Sequence, residues 1–145
     1  MKVKVSGSIK LTLLKNGKKI EERKVKNLVV NSGLNHIADQ LSDSPDESAM
    51  SYMAIGTGTT APTSSDTALE SEVARVALTS KTDSGSELTY VGEFGEGVGT
   101  GAITEAGIFN ASSGGTMLAR QVFSAINKGA SDTLRIEWTI SFSAS

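Results

Sequence analysis

Residues 54–62, AIGTGTTAP, are the part of the chain that most resembles a chemical site. They place Gly56, Gly58 and Ala61 in a G-x-G-x-x-A pattern directly after an apolar stretch. In dinucleotide-binding proteins this spacing opens a helix, whose N-terminal amides hold a pyrophosphate. Here Pro62 and a run of hydroxyl residues follow instead of a helix, and no lysine lies nearby to complete a P-loop. The pattern therefore indicates a glycine-bearing surface loop rather than a nucleotide site.

Residue types that serve nucleophilic or metal chemistry are scarce. The chain has no cysteine, which excludes disulfides, thiolate catalysis and Cys-ligated zinc. His36 is the single histidine, whereas a metal site needs several converging ligands. No G-x-S-x-G nucleophile turn occurs. We interpret His36 as a histidine on the surface of a helix.

Carboxylates could in principle work in pairs, as they do in glycosidases. The candidates are Glu93, Glu96 and Glu105. They occur on a glycine-rich stretch without aromatic platforms, so we interpret them as solvated loop charges. A second acidic group, at residues 43–47, lacks the D-x-D-x-D-G order of a calcium loop. The sequence thus predicts no catalytic residue, no cofactor and no metal.

Charge is distributed unevenly along the chain. Residues 1–26 carry nine Lys and Arg against two Glu, and the remainder carries five against fourteen, although the formal net charge is only −2. This split indicates an electrostatically polarised module, or lysines that simply form the wet face of a strand pair. Aromatic stacking residues and a recognition helix are both missing from the basic region, which argues against nucleic acid. No apolar run approaches the roughly 20 residues that span a bilayer.

The clearest local pattern is a basic hairpin over about residues 2–30. Apolar and polar residues alternate over residues 2–14, which is typical of a half-buried strand. Asn16-Gly17 then suits a type I′ turn. The return strand runs from about Lys19 to Val30, and a bulge near residues 21–22 is needed to keep its apolar side chains inward.

The rest of the chain reads as one helix and a series of short strands. Leu34, Ile37, Ala38 and Leu41 follow helical spacing, which predicts a short helix near residues 32–42, capped by Asn31 or Ser32. Residues 72–82 and 87–94 are predicted as two strands of a hairpin, and residues 132–143 alternate most cleanly. About eight strands without regular helices predict a mainly β fold, an antiparallel β-sandwich or jelly-roll-like barrel, as a single domain over residues 1–145.

Five stretches cover most of the chain from roughly residue 25 to 143: NLVVNSGLNHIADQL, MSYMAIGTGTTAPTSSDTALESEVAR, TYVGEFGEGVGTGAITEAGIFNA, GGTMLARQVF and INKGASDTLRIEWTISF. Together they resemble a group of small virion structural proteins of tailed bacteriophages and prophages. The most specific parts are residues 55–68 and GAITEAGIFNA. Members of this group are described as tail-fibre-like or as small head proteins, and the resemblance brings no catalytic residues with it.

The resemblance implies a non-enzymatic virion structural protein. The small size of the chain and the absence of a fibrous repeat or coiled-coil heptad favour a capsid decoration, or cement, protein that binds the outer capsid shell and stabilises it. The alternative is a tail, collar or fibre-associated protein that contributes to host attachment. The implied partners are the major capsid protein and copies of the chain itself in a cyclic homo-oligomer, without membrane or nucleic acid. The implied location is the virion, assembled in the cytoplasm of the host bacterium.

Two elements are the expected contact surfaces. The hairpin would contribute Lys10, Lys15, Lys18 and Lys19. The loop of residues 57–67 is too long and too polar for a simple connector. It would contribute Thr57, Thr59, Thr60 and Pro62.

Overall fold

The computed structural model describes residues 2–144, which form two antiparallel sheets and one helix. The elements are β1 (Val3–Lys15), β2 (Lys18–Lys26), β3 (Leu28–Val29), α1 (Asn31–Gln40), β4 (Tyr52–Gly56), β5 (Glu72–Ala77), β6 (Ser80–Ser84), β7 (Glu87–Phe94), β8 (Gly101–Phe109), β9 (Met117–Lys128) and β10 (Asp132–Ala144). Sheet A has the strand order β2-β1-β10-β7-β6, and sheet B has the order β3-β9-β8-β4-β5. The predicted sandwich is confirmed, and the two sheets stay separate rather than closing into a barrel.

The basic hairpin forms as the sequence predicts, with its bulge one residue earlier. Asn16 and Gly17 have φ values of 53° and 75°, as a type I′ turn requires. The register shifts between Leu13 and Leu14, so Ile20 is the extra residue of β2 and is 53% exposed. This shift places Val25 opposite Ile9, on the inner face.

The core lies between the inner faces of the two sheets. Alternate residues of the long central strands β1 and β10 fill it, in register with each other along 13 residue pairs. Trp138, the only tryptophan, is fully buried there beside Tyr90 of β7. Its fluorescence therefore reports on the packing of this core.

Within residues 2–144 the chain crosses between the sheets four times, and two of these crossings fall inside a single strand predicted from the sequence. After β2, the Asn27 amide still donates to Gly7 of sheet A, whereas β3 pairs with β9 of sheet B. The prediction of one return strand as far as Val30 is therefore wrong. After β5, the Leu78 amide donates to Ser51 and the Thr79 amide donates to Val91. The single strand predicted over residues 72–82 is therefore two strands in different sheets, and residues 2–144 form ten strands where the sequence predicts about eight.

Helix α1 follows β3 and packs on sheet B through its smallest residue. Gly33 is buried, and a Cβ atom at this position would overlap the carbonyl oxygen of Leu118. The residue before the helix, Val30, takes the N-cap position without a side-chain cap. The cap predicted at Asn31 or Ser32 is wrong, because the Ser32 hydroxyl instead donates to the carbonyl of Met117 at 2.8 Å.

We expect Gly33→Ala to lower the free energy of unfolding by about 1–3 kcal/mol, since the new methyl group meets rigid backbone. Helix propensity alone would give the opposite sign, by roughly 1 kcal/mol. Urea unfolding followed by Trp138 fluorescence measures the change. Asn35→Ala, at an exposed position of the same helix, is the control, and a Gly33→Ala chain as stable as this control would contradict the packing.

Candidate functional site

The G-x-G loop belongs to a lid, residues 57–71, that covers the outer face of sheet B. Ala54 of β4 and Phe109 of β8 point to this face and form a second, smaller apolar cluster with Val30, Leu69 and Met117. Leu69 is the lid's own contribution to this cluster. The lid is therefore packed on the sheet and is not a free loop.

A single buried carboxylate, that of Glu105 on β8, holds the lid in place. Its Oε2 accepts the amides of Gly58 at 2.8 Å and Ser71 at 2.7 Å. Its Oε1 accepts the Glu70 amide at 2.9 Å and Arg120 Nε at 3.1 Å. Glu105 is fully buried and Arg120 is 2% exposed. Both oxygens are thus fully bonded, as a charge inside a protein requires.

Arg120 of β9 extends the network from Glu105 into the middle of the lid. Its Nη1 donates to Asp66 Oδ2 at 2.9 Å, and its Nη2 donates to the Thr60 carbonyl at 3.1 Å. The Thr104 hydroxyl beside Glu105 donates to the Gly58 carbonyl at 2.6 Å. The lid is therefore tied to sheet B at several points along its length.

The two glycines of the G-x-G pattern leave space for this carboxylate. A Cβ atom at Gly58 would come within 2.5 Å of Glu105 Oε2, and one at Gly56 would overlap the Ser71 carbonyl oxygen. The loop thus uses a backbone amide to bind an anion, much as a phosphate loop does. The anion at this position is the chain's own Glu105.

The interpretation of Glu105 as a solvated charge is therefore wrong. Glu93 and Glu96 are exposed, and Glu93 pairs with Arg135 at 2.8 Å. Glu105 differs because it occupies the centre of a strand of small and apolar residues, GAITEAGIF. That isolation, together with an arginine inside the apolar run MLARQVF, was the available signal for a buried ion pair.

The predicted contact residues of the lid are presented on a fixed backbone. Thr57, Thr59 and Thr60 are exposed and Pro62 is half-buried. The Glu70 carboxylate accepts the amides of Thr59 and Thr60, at 2.8 Å and 3.0 Å. These threonines therefore form a rigid, polar patch on the sheet B side of the molecule.

The predicted lysines lie on sheet A instead. Lys15, Lys18 and Lys19 are exposed at the end of the hairpin, where Lys19 bonds to Glu22 at 2.7 Å. Lys10 is half-buried on the outer face, 3.7 Å from the same carboxylate. The structure does not bring the lysines and the lid onto one surface.

Helix α1 buries His36 and exposes part of its apolar stripe. His36 is buried, 4% exposed, and its Nδ1 lies 2.7 Å from Glu47 Oε1. Leu34 and Leu41 are 44% and 83% exposed. The interpretation of His36 as a surface residue is therefore wrong. Helix α1 packs through Gly33 and Ile37 and turns Leu34 and Leu41 outward.

That stripe forms one wall of a groove of about 720 Å³. The opposite wall is the inner face of sheet A, where Val3 and Val5 of β1 meet Phe142 of β10 and Leu88 of β7. The strands of sheet B contribute only Leu118 to the lining. The groove exists because sheet A extends past sheet B, and the helix covers the excess only in part.

Within residues 2–144, no three His, Cys, Asp or Glu side chains are grouped so that they could hold a metal ion. In the same range, no helix has the length and apolar character needed to cross a membrane.

Comparison of the chain with protein-family profiles, with curated proteins and with solved structures finds no match.

We expect Glu105→Gln to lower the free energy of unfolding by about 3 kcal/mol, because Arg120 loses its buried partner and an amide must face backbone donors. Hydrogen exchange at the Gly58 and Ser71 amides should accelerate as well. The matched control is Glu93→Gln, whose exposed pair with Arg135 is worth about 0–1 kcal/mol. Equal losses in the two variants would refute the role of Glu105.

The lid should also respond to acid through the carboxylates of Glu70 and Asp66. Hydrogen bonds from the Thr60 hydroxyl and from the Thr60 and Thr59 amides lower the pKa of Glu70. Partial burial acts to raise the pKa of Asp66, but bonds from Thr63 and Arg120 outweigh it, and this pKa is also lowered. Their stabilising effect is complete above the ordinary carboxyl pKa of about 4. It is lost as the pH falls through the lower folded values.

Amide chemical shifts of Thr59 and Thr60 should therefore titrate with a midpoint below the ordinary glutamate value, and the step should vanish in Glu70→Gln. A midpoint at or above that ordinary value would show that these bonds do not favour the charged form.

Proposed function

We propose that this chain is a non-enzymatic structural protein of a bacteriophage virion, a capsid decoration protein that binds the outer shell and stabilises it. Its partners are the major capsid protein and copies of itself, and its location is the assembled virion. The resemblance of residues 25–143 to small virion proteins is the reason for naming this class.

The observation that carries the proposal is that the buried charged and titratable side chains bind other parts of the same chain. Glu105 and Arg120 bind each other and the lid, and His36 binds Glu47, so these groups serve the fold. What the molecule offers outward is a cationic hairpin end, a rigid threonine patch and an apolar groove. Such surfaces suit contacts with other proteins, and repeated weak contacts on a particle add up to durable attachment.

Within this role the hairpin provides the electrostatic contact. Lys15, Lys18 and Lys19 project from the end of sheet A within five residues of one another. An acidic protein surface, on the shell or on a neighbouring copy of the chain, would attract them, and salt would weaken that attraction.

Charge reversal by Lys18→Glu with Lys19→Glu should reduce occupancy on phage particles and flatten its dependence on salt. Quantitative gel analysis of purified particles over a series of salt concentrations measures both. Lys24→Glu with Lys26→Glu makes the same charge change at exposed positions further along β2 and serves as the control. Unchanged occupancy in the Lys18/Lys19 variant would remove the hairpin end from the interface.

A role in the tail or fibre is the second candidate, and the exposed loop of residues 95–100 favours it. This loop is glycine-rich and carries Val98, which is 37% exposed. Copy number separates the two roles, since a shell protein is present in hundreds of copies and a tail protein in far fewer. If particles stripped of the chain resist heat as well as intact particles do, the cement role is wrong.

A further inference from the structure

The apolar groove has a counterpart at the other end of the molecule. Ile20, the bulged residue of β2, is 53% exposed immediately after Lys18 and Lys19. We call residues 15–20 the basic tip. The bulge leaves the Ile20 side chain exposed beside the ammonium groups of Lys15, Lys18 and Lys19. The tip protrudes from the molecule, whereas the groove is a depression in it.

The charges of the two ends are opposite. Six carboxylates line the groove or belong to the helix end and loop beside it: Asp39, Asp43, Asp46, Glu47, Asp83 and Glu87. Lys81 is the lysine in the lining, and its Nζ donates to the Met50 carbonyl at 2.9 Å. Lys4 lies nearby, but it alternates with Val3 and Val5 and so points to the outer face of β1.

The acidic loop is held in a defined position next to the groove. The Asp39 carboxylate accepts the Asp46 amide at 2.9 Å and the Glu47 amide at 3.0 Å, and Glu47 contacts His36. Asp43 and Asp46 remain exposed. A cationic partner would therefore meet these two carboxylates in a fixed place.

A chain cannot place its own tip in its own groove. Val3 stands at the groove and Lys15 at the tip, and they are the two ends of the 13-residue strand β1. At roughly 3.3 Å per residue these ends lie about 40 Å apart. Only a second molecule can bring a tip to a groove.

We infer that the basic tip of one copy docks into the apolar groove of the next, with Ile20 between the α1 wall and the sheet A wall. Lys15 and Lys18 of the tip then face Asp43 and Asp46 of the neighbouring copy. The contact is head-to-tail, so it closes into a ring if the rotation permits and otherwise continues as a chain of copies. The inference builds on the proposed function and names one of its partners, a second copy of this chain.

The experiment uses the purified full chain and sedimentation velocity over a range of protein concentrations. The wild-type chain should associate, and less so when salt rises from about 0.05 M to about 0.5 M. Ile20→Ser in the tip and Leu41→Ser in the groove should each weaken association by at least tenfold. Both side chains are exposed in the single copy, so neither change should unfold it. Val73→Ser, at a 46% exposed valine of β5, is the control and should associate as the wild type does.

Mixing the two defective variants gives the decisive result. The Leu41→Ser chain keeps a working tip and the Ile20→Ser chain keeps a working groove, so an equimolar mixture should form a one-to-one complex that does not grow. In the same way, a Lys15→Glu/Lys18→Glu chain should recover binding when mixed with an Asp43→Lys/Asp46→Lys chain.

Three outcomes would overturn the inference. A chain that stays monomeric at every concentration has no such contact. A dimer that survives Ile20→Ser but not Leu41→Ser pairs groove to groove instead. A monomer whose groove binds an apolar fluorescent dye, with binding lost in Leu41→Ser, uses the groove for another ligand. If the chain gives any of these results and still binds phage particles, the proposed function stands. If the chain self-associates but does not bind particles, only the proposed function is overturned.

Discussion

The buried carboxylate of Glu105 is the constraint on which the rest of sheet B depends. A charge inside a protein costs several kcal/mol unless it is fully bonded, and here three backbone amides and Arg120 bond it. Three of the four donors come from the lid or its end, so the lid cannot leave without stranding the charge. The lid in turn covers the outer apolar cluster and supports the start of α1, where the Asn31 amide donates to the Ser64 carbonyl.

The groove results from how the two sheets differ in length. β1 and β10 each have 13 residues, whereas β4 and β5 have five and six. Sheet A therefore presents more inner face than sheet B can cover. Helix α1 lies over part of the excess, but it approaches sheet B through Gly33 and leaves Leu34 and Leu41 turned to solvent. The contact at Gly33 thus fixes the helix on sheet B, while the helix face that carries Leu34 and Leu41 stays available for binding.

Sequence reasoning succeeded where a local rule decides the outcome. Asn16-Gly17 adopts its turn because few other residues tolerate positive φ, and β10 alternates because one face is buried from Asp132 to Ile140. It failed where the deciding partner is distant in sequence. The burial of Glu105 depends on Arg120 and on amides 34 to 47 residues away, and the burial of His36 depends on Glu47. The split after β5 depends on two carbonyl acceptors, that of Ser51 beside sheet B and that of Val91 in sheet A. The alternation of apolar and polar residues does not reveal them.

The edge strands of the two sheets affect whether copies of this protein aggregate when many are crowded together. Unpaired strand edges invite intermolecular β-pairing and fibrous aggregates. Here β2 interrupts its ladder with a bulge and carries seven charged residues among its nine, β6 is a short strand of five exposed polar residues, and β3 has two residues. Backbone pairing between copies is therefore disfavoured along β2, β6 and β3, and contacts there are left to side chains.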